Sequence, residues 1–103
     1  MFPQFRAFYK DILGAETIPT DKPHFDLFRF SNNFIMGVFY SQDCLTEQQC
    51  LNAMWCEIKT DTVNQLKDKL IKFGVKEVEY DDKDHFYFQA PGGQVYRIVS
   101  EDE

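Results

Sequence analysis

The sequence predicts an α+β fold of two βαβββ-type modules, the first lacking its leading strand. Three observations predict it. A helical pattern over residues 60–73 lies between one apolar run and three strand-like runs. A second helical pattern near the start is also followed by three strand-like runs. Aromatic residues make up 17% of the 103 residues, with 11 Phe, and ring-rich alternating segments favour sheet.

The second module is the more legible. Ala53-Met54-Trp55-Cys56-Glu57-Ile58 reads as a strand. Val63, Leu66, Leu70 and Phe73 then fall three and four apart, the spacing of one buried helix face. Asp61 is placed to cap the first turn, and Lys67, Lys69 and Lys72 suit the negative end of the helix dipole. Gly74 stands where a left-handed residue ends a helix. Strand-like runs follow over residues 75–80, 85–89 and 94–99. The turns Asp81-Asp82-Lys83-Asp84 and Ala90-Pro91-Gly92-Gly93 separate them. A lone four-stranded sheet with one helix leaves a face bare, so it calls for a second copy to cover it.

In the first module Pro3 suits a first helical turn, Phe5, Phe8, Tyr9 and Ile12 (or Leu13) share a helix face, and Gly14 ends it. Glu16-Thr17-Ile18 is a short strand. Residues 24–30 alternate, with Phe25, Leu27 and Arg29 on one face and Asp26, Phe28 and Phe30 on the other. Ser31-Asn32-Asn33 has hairpin-turn chemistry, and residues 34–40 return as the partner strand, where Gly37 marks a close approach or bulge. Module one spans about residues 1–41, a connector 42–52, and module two 53–100. In the connector Thr46 and Gln49 have capping-box spacing for a turn of helix.

Composition narrows the function. A net charge of −6 and a pI near 4.8 exclude a basic face for nucleic acid. No apolar run approaches a membrane span and no basic-then-apolar leader opens the chain, so a cytoplasmic protein is expected. Cys44, Cys50 and Cys56 are spaced too widely for a CxxC metal or redox pair. His24 and His85 begin strands after polar turns and read as ordinary exposed histidines. Asp81, Asp82 and Asp84 read as a solvated turn, because the glycine and spacing of a calcium loop are missing.

Two motifs add a resemblance. Phe8-Tyr9-Lys10-Asp11-Ile12-Leu13-Gly14 is similar to the FYxxxLG first helix of the vicinal oxygen chelate superfamily, which includes glyoxalase I, bleomycin-resistance proteins and extradiol dioxygenases. The stretch from Phe86-Tyr87-Phe88-Gln89-Ala90-Pro91 to Gly92-Gly93-Gln94-Val95 resembles that superfamily's FYFxDPDGNxxE hairpin. The likeness covers nearly the whole chain as one glyoxalase/bleomycin-resistance-like domain. It implies sheets curled into a cup and a homodimer. The family metal ligand on the missing leading strand would have no counterpart, and the other three would fall near Tyr40, Ala53 and Arg97. A tyrosine, an alanine and a guanidinium cannot clasp a divalent cation, so no metal, no other cofactor and no catalytic residue is expected.

If the alternation follows the family, Trp55 and Glu57 face the cup with Val95, Arg97 and Val99, while Met54, Cys56 and Ile58 face the helix. Met36, Val38 and Tyr40 would join the cup from module one. Ligand-binding residues are therefore expected to be Trp55, Tyr40, Glu57, Arg97, Met36 and Val38, with a small organic molecule as partner. An Arg97–Glu57 pair and a local hydrogen bond of Tyr40 are the plainer readings of those residues. The gap left by the missing strand would be covered by a homodimer, by the connector, or by residues 1–4. Three functions follow: a metal-free binder of an amphipathic or cationic ligand, a metal-dependent lyase or isomerase, or a degenerate module that serves dimerisation.

Overall fold

A computed structural model describes residues 2–40 and 44–103, with Phe2 and Pro3 as backbone only. Met1 and the start of the connector, residues 41–43, lie outside the described residues. The chain divides into two compact units, Met1–Cys44 and Leu45–Glu103.

The first unit opens with α1 (Phe2–Ala7), which runs on as one π-helical turn over Phe8–Ile12. Residues 2–4 are thus helical and fill no strand position. In the wider turn the Leu13 amide reaches back to the Phe8 carbonyl at 3.3 Å, and the successive rings Phe8 and Tyr9 are both buried. Strands β1 (Glu16–Ile18), β2 (Phe25–Arg29) and β3 (Ile35–Phe39) form an antiparallel sheet in the order β1-β2-β3. No strand precedes the helix among the described residues, as expected. Phe28 is fully buried under the helix, its ring 5.9 Å from Phe5 and 5.2 Å from Tyr9.

The register corrects one expectation about faces. Asp26 lies opposite Val38, and Phe28 lies opposite Met36. Directly opposed residues of an antiparallel pair share a face, so Met36 and Val38 lie on the helix-covered side with Phe28. Tyr40 joins them, its ring 5.6 Å from Phe5. The other face carries Phe25, Leu27, Ile35, Gly37 and Phe39. Gly37 is the expected close approach: a Cβ there would meet the Phe25 ring at 3.2 Å.

The second unit begins with α2 (Glu47–Cys50), whose capping box joins Thr46 and Gln49 as the spacing predicts. The Gln89 amide donates to the Glu47 carbonyl at 2.8 Å, and the Tyr80 hydroxyl donates to the Leu51 carbonyl at 2.9 Å. The described connector is thereby tied to the second unit's own sheet. That sheet contains β4 (Trp55–Thr60), β5 (Lys76–Val78), β6 (Phe86–Gln89) and β7 (Val95–Ser100) in the order β4-β7-β6-β5. β4 and β7 are parallel, which requires the crossover helix α3 (Val63–Phe73) between them. On α3, Leu70 is fully buried and the Lys67 ammonium sits 5.0 Å over the Phe86 ring. Gly74 ends the helix at φ +99°, a conformation that strains any side chain, and its amide bonds back to the Leu70 carbonyl.

Two details of this unit depart from expectation. The residue flanking the start of α3 is Thr62, and neither it nor Asp61 supplies a capping hydrogen bond to the first turn. Instead, the Thr60 hydroxyl accepts from the Thr62 amide at 3.1 Å. Met54 precedes β4 and is 67% exposed, so it does not face the helix with Cys56 and Ile58.

Candidate functional site

The parallel register of β4 and β7 sets Trp55 beside Val95, Glu57 beside Arg97 and Lys59 beside Val99. Neighbouring residues in register share a face, so Trp55, Glu57, Val95, Arg97 and Val99 stand together, as predicted. β6 adds Tyr87, which lies opposite Arg97. The opposite face presents Cys56, Ile58, Tyr96, Ile98 and Phe86 on the α3 side.

On this face the Arg97 guanidinium lies 4.4 Å over the Trp55 ring, and the Tyr87 ring meets the same indole edge-on at 5.7 Å. Arg97 is ion-paired to Glu57 through Nη2. Nη1 reaches Asp82 Oδ2 and the Tyr87 hydroxyl, each at 3.4 Å. The Glu57 carboxylate raises the Arg97 pKa, with smaller help from Tyr87. Among the described residues, Arg97 Nε is buried without a hydrogen-bond partner. The expected Arg97–Glu57 pair is therefore present, and the guanidinium is a fixed part of the face.

Asp82 corrects the reading of its turn as merely solvated. Its Oδ2 accepts from the Tyr87 hydroxyl at 2.9 Å and from His85 Nδ1 at 2.7 Å. Its Oδ1 accepts from the Asp84 amide at 3.0 Å. His85 and the Asp84 amide hold the Asp82 pKa down to about 2. His85 is likewise no free surface histidine, because its Nε2 meets Glu103 Oε1 at 2.6 Å. Glu103 and Asp82 together raise the His85 pKa, and His85 lowers that of Glu103. Burial raises the Tyr87 pKa, keeping its hydroxyl protonated as a donor. The sequence signal for this cluster was the Asp82-x-x-His85-x-Tyr87 spacing across a turn into a strand. His24, by contrast, is exposed, as expected.

Tyr40 takes part in a different cluster within the first unit. Its hydroxyl donates to Asp26, which also receives Arg6 Nε at 2.8 Å and Nη2 at 3.1 Å. Arg6 lowers the Asp26 pKa, while burial and then Asp26 raise that of Tyr40. Met36 and Val38 line the same helix-covered side of the first unit's sheet.

The positions that the resemblance assigns to metal ligands do not fit a divalent cation. The Ala53 side chain has no donor atom, Arg97 is a cation already paired with Glu57 and Asp82, and the Tyr40 hydroxyl is committed to Asp26. Among the described residues, no three His, Cys, Asp or Glu side chains converge as a metal site. No helix among them is long and apolar enough to cross a membrane.

Comparisons with known proteins place this architecture. The chain is similar to a solved structure from Bacillus cereus described as a possible glyoxalase, with TM-score 0.72 and 17% identity, covering 94% of this chain and 87% of that one. A fosfomycin-resistance protein, FosX, from Listeria monocytogenes superposes with TM-score 0.73 at 11% identity, covering 95% and 82%. A glyoxalase-related enzyme from Fulvimarina pelagi gives 0.73 at 15% identity, covering 99% and 81%. At these identities the likeness establishes the fold alone, one shared with glyoxalase-related and fosfomycin-resistance proteins. No curated protein matches the sequence. The family model described as "Peptide-N-glycosidase F, N terminal" matches residues 1–88. The chain therefore belongs to that family and is built on the glyoxalase-like fold.

Proposed function

We propose that the chain is a small-molecule-binding protein working without a bound metal, which takes an amphipathic or cationic organic ligand onto the Trp55 face. The observation that carries this reading is the indole itself. Trp55 keeps 44% of its surface exposed even though Arg97 and Tyr87 both pack on it. A large ring already held in place offers stacking area at little cost in conformational entropy. Glu57 and Asp82 lie on the same face, and the net charge of −6 favours a positive ligand over a negative one. The cation at Arg97, where a metal ligand would stand, supports the metal-free part of the reading.

A second reading rests on the family match, whose description names a peptide-N-glycosidase. An indole flanked by carboxylates and a guanidinium also suits one face of a sugar ring, with the polar groups taking its hydroxyls. Isothermal titration calorimetry on protein purified without chelator separates the two. Its probes are benzyltrimethylammonium and the neutral saccharide chitobiose, with metal content measured in parallel. Saturable binding of the cation, weakened about tenfold in Trp55→Ala, is the expected result. Saturable binding of chitobiose alone transfers the site to carbohydrate. Stoichiometric zinc, nickel, iron or manganese, or silence with both probes, overturns the proposal.

A further inference from the structure

We infer that the outer edge of β3 is a self-association surface, pairing antiparallel with β3 of a second copy about a twofold axis at Gly37. The inference starts from where the backbone groups of β3 point. The Phe30 amide donates to the Phe34 carbonyl, and the Tyr40 amide donates to the His24 carbonyl, both at 2.9 Å. With the register of β2 and β3, these bonds direct the amides and carbonyls of residues 34, 36, 38 and 40 toward β2. Those of Ile35, Gly37 and Phe39 then point outward, on the side where the sheet order ends. The Cys44 thiol reaches the Phe39 carbonyl at 3.4 Å, which leaves that oxygen a second lone pair.

Sheets protect such edges with charge, proline or brevity. The other edge strands of this chain do so: β1 is three residues long with Glu16, β4 carries Glu57 and Lys59, and β5 carries Lys76 and Glu77. β3 has none of these devices. Its outward-facing register also carries exposed apolar side chains, with Phe39 68% and Ile35 51% exposed.

The chemistry selects a second copy as the occupant. Residues 31–42 carry no charged side chain in a chain whose net charge is −6. An oppositely charged strand would find nothing to pair with there, whereas two identical copies of an acidic chain meet along this edge without like charges facing each other. Antiparallel pairing about Gly37 sets Ile35 opposite the partner's Phe39 and Gly37 opposite itself. Each facing pair exchanges both backbone hydrogen bonds. The contact is isologous and closes on itself, so it yields a dimer and not a filament.

Sedimentation velocity on the chain at concentrations from about 1 to about 100 µM tests this, with far-UV circular dichroism as the control for folding. The unaltered chain is expected to sediment as a dimer. The double variant Ile35→Glu/Phe39→Glu, which sets like charges opposite each other, is expected to be a folded monomer. In Ile35→Glu/Phe39→Lys each new carboxylate faces a new ammonium across the twofold, and the dimer is expected to return and to weaken with salt. A monomeric unaltered chain, a dimeric doubly acidic variant, or a folded charge-swapped variant that stays monomeric overturns the inference.

Discussion

Asp82 holds three side chains at once: it accepts from Tyr87 and His85 and draws in Arg97. His85 in turn stands between Asp82 and Glu103, and that position fixes a pH dependence. Its folded pKa is raised above the ordinary 6.5. The stabilisation is therefore complete below 6.5 and is lost as pH rises through the higher folded value. Asp82 and Glu103 are lowered from 3.8 and 4.5, so their share is present above those values and is lost as pH falls through the folded ones. The three contributions coincide between about pH 4.5 and 6.5. The Tm advantage of the native chain over His85→Gln should peak in that window and shrink by about pH 8.5. An advantage that is flat with pH would mean that the imidazole carries no charge there. A contrast between two aromatic residues is also expected. Tyr40→Phe removes a donor to Asp26 and should cost about 1–2 kcal/mol in urea denaturation while leaving ligand affinity unchanged. Trp55→Ala should weaken the bound ligand about tenfold with little loss of stability. The partnership of Trp55, Glu57 and Arg97 was legible because polar and apolar residues alternate clearly on β4. Tyr40 was misplaced because β3 is apolar on both sides: Ile35, Gly37 and Phe39 alternate with Met36, Val38 and Tyr40. Hydrophobic periodicity offers no contrast there.

At the scale of elements, caps and turns decide where segments begin and end, and most were readable. Gly74 at φ +99° and the Thr46–Gln49 capping box stand where the residue types placed them. Gly74→Ala should cost about 1 kcal/mol, and Thr46→Ala should cost about the same, each read as a shift in denaturation midpoint at constant m-value. If Gly74→Ala were neutral, the C-terminal turn of α3 would have to have rearranged, which amide exchange at Val75 would reveal. The π-helical turn at Phe8–Ile12 gave no warning in the sequence. Helical spacing is tolerant enough that rings at 5, 8 and 9 satisfy an α-helical face, and only packing against Phe28 decides how the turn opens. The unsupported start of α3 was missed for a related reason. Asp61 has the right chemistry for a cap, but the chain reaches the helix one residue later, at Thr62.

For the molecule as a whole, the repeat was visible because each half joins one helix to three strands, and a helix-led half can be recognised even without its first strand. What sits on the sheet faces was not visible at this scale, since it depends on register, and a slip of one residue exchanges the two faces. The overall acidity leads to one further expectation. Affinity for a cationic ligand on the Trp55 face should fall severalfold as salt rises from about 20 mM to about 500 mM, because the field of a −6 chain is screened over such a range. Affinity indifferent to salt would assign the binding to stacking alone.

β7 pairs with β4 although Glu57 and Arg97 are separated by 40 positions, and it occupies the interior of its sheet though it follows that sheet's other three strands along the chain. During synthesis, β4 waits for a neighbour that does not yet exist, and a partnership of such high contact order is slow to close. Until it does, Trp55 has no guanidinium above it. A chain in which β7 has not yet docked therefore lacks the face that the proposed ligand would use, and ligand affinity would report the closure of this long-range pairing.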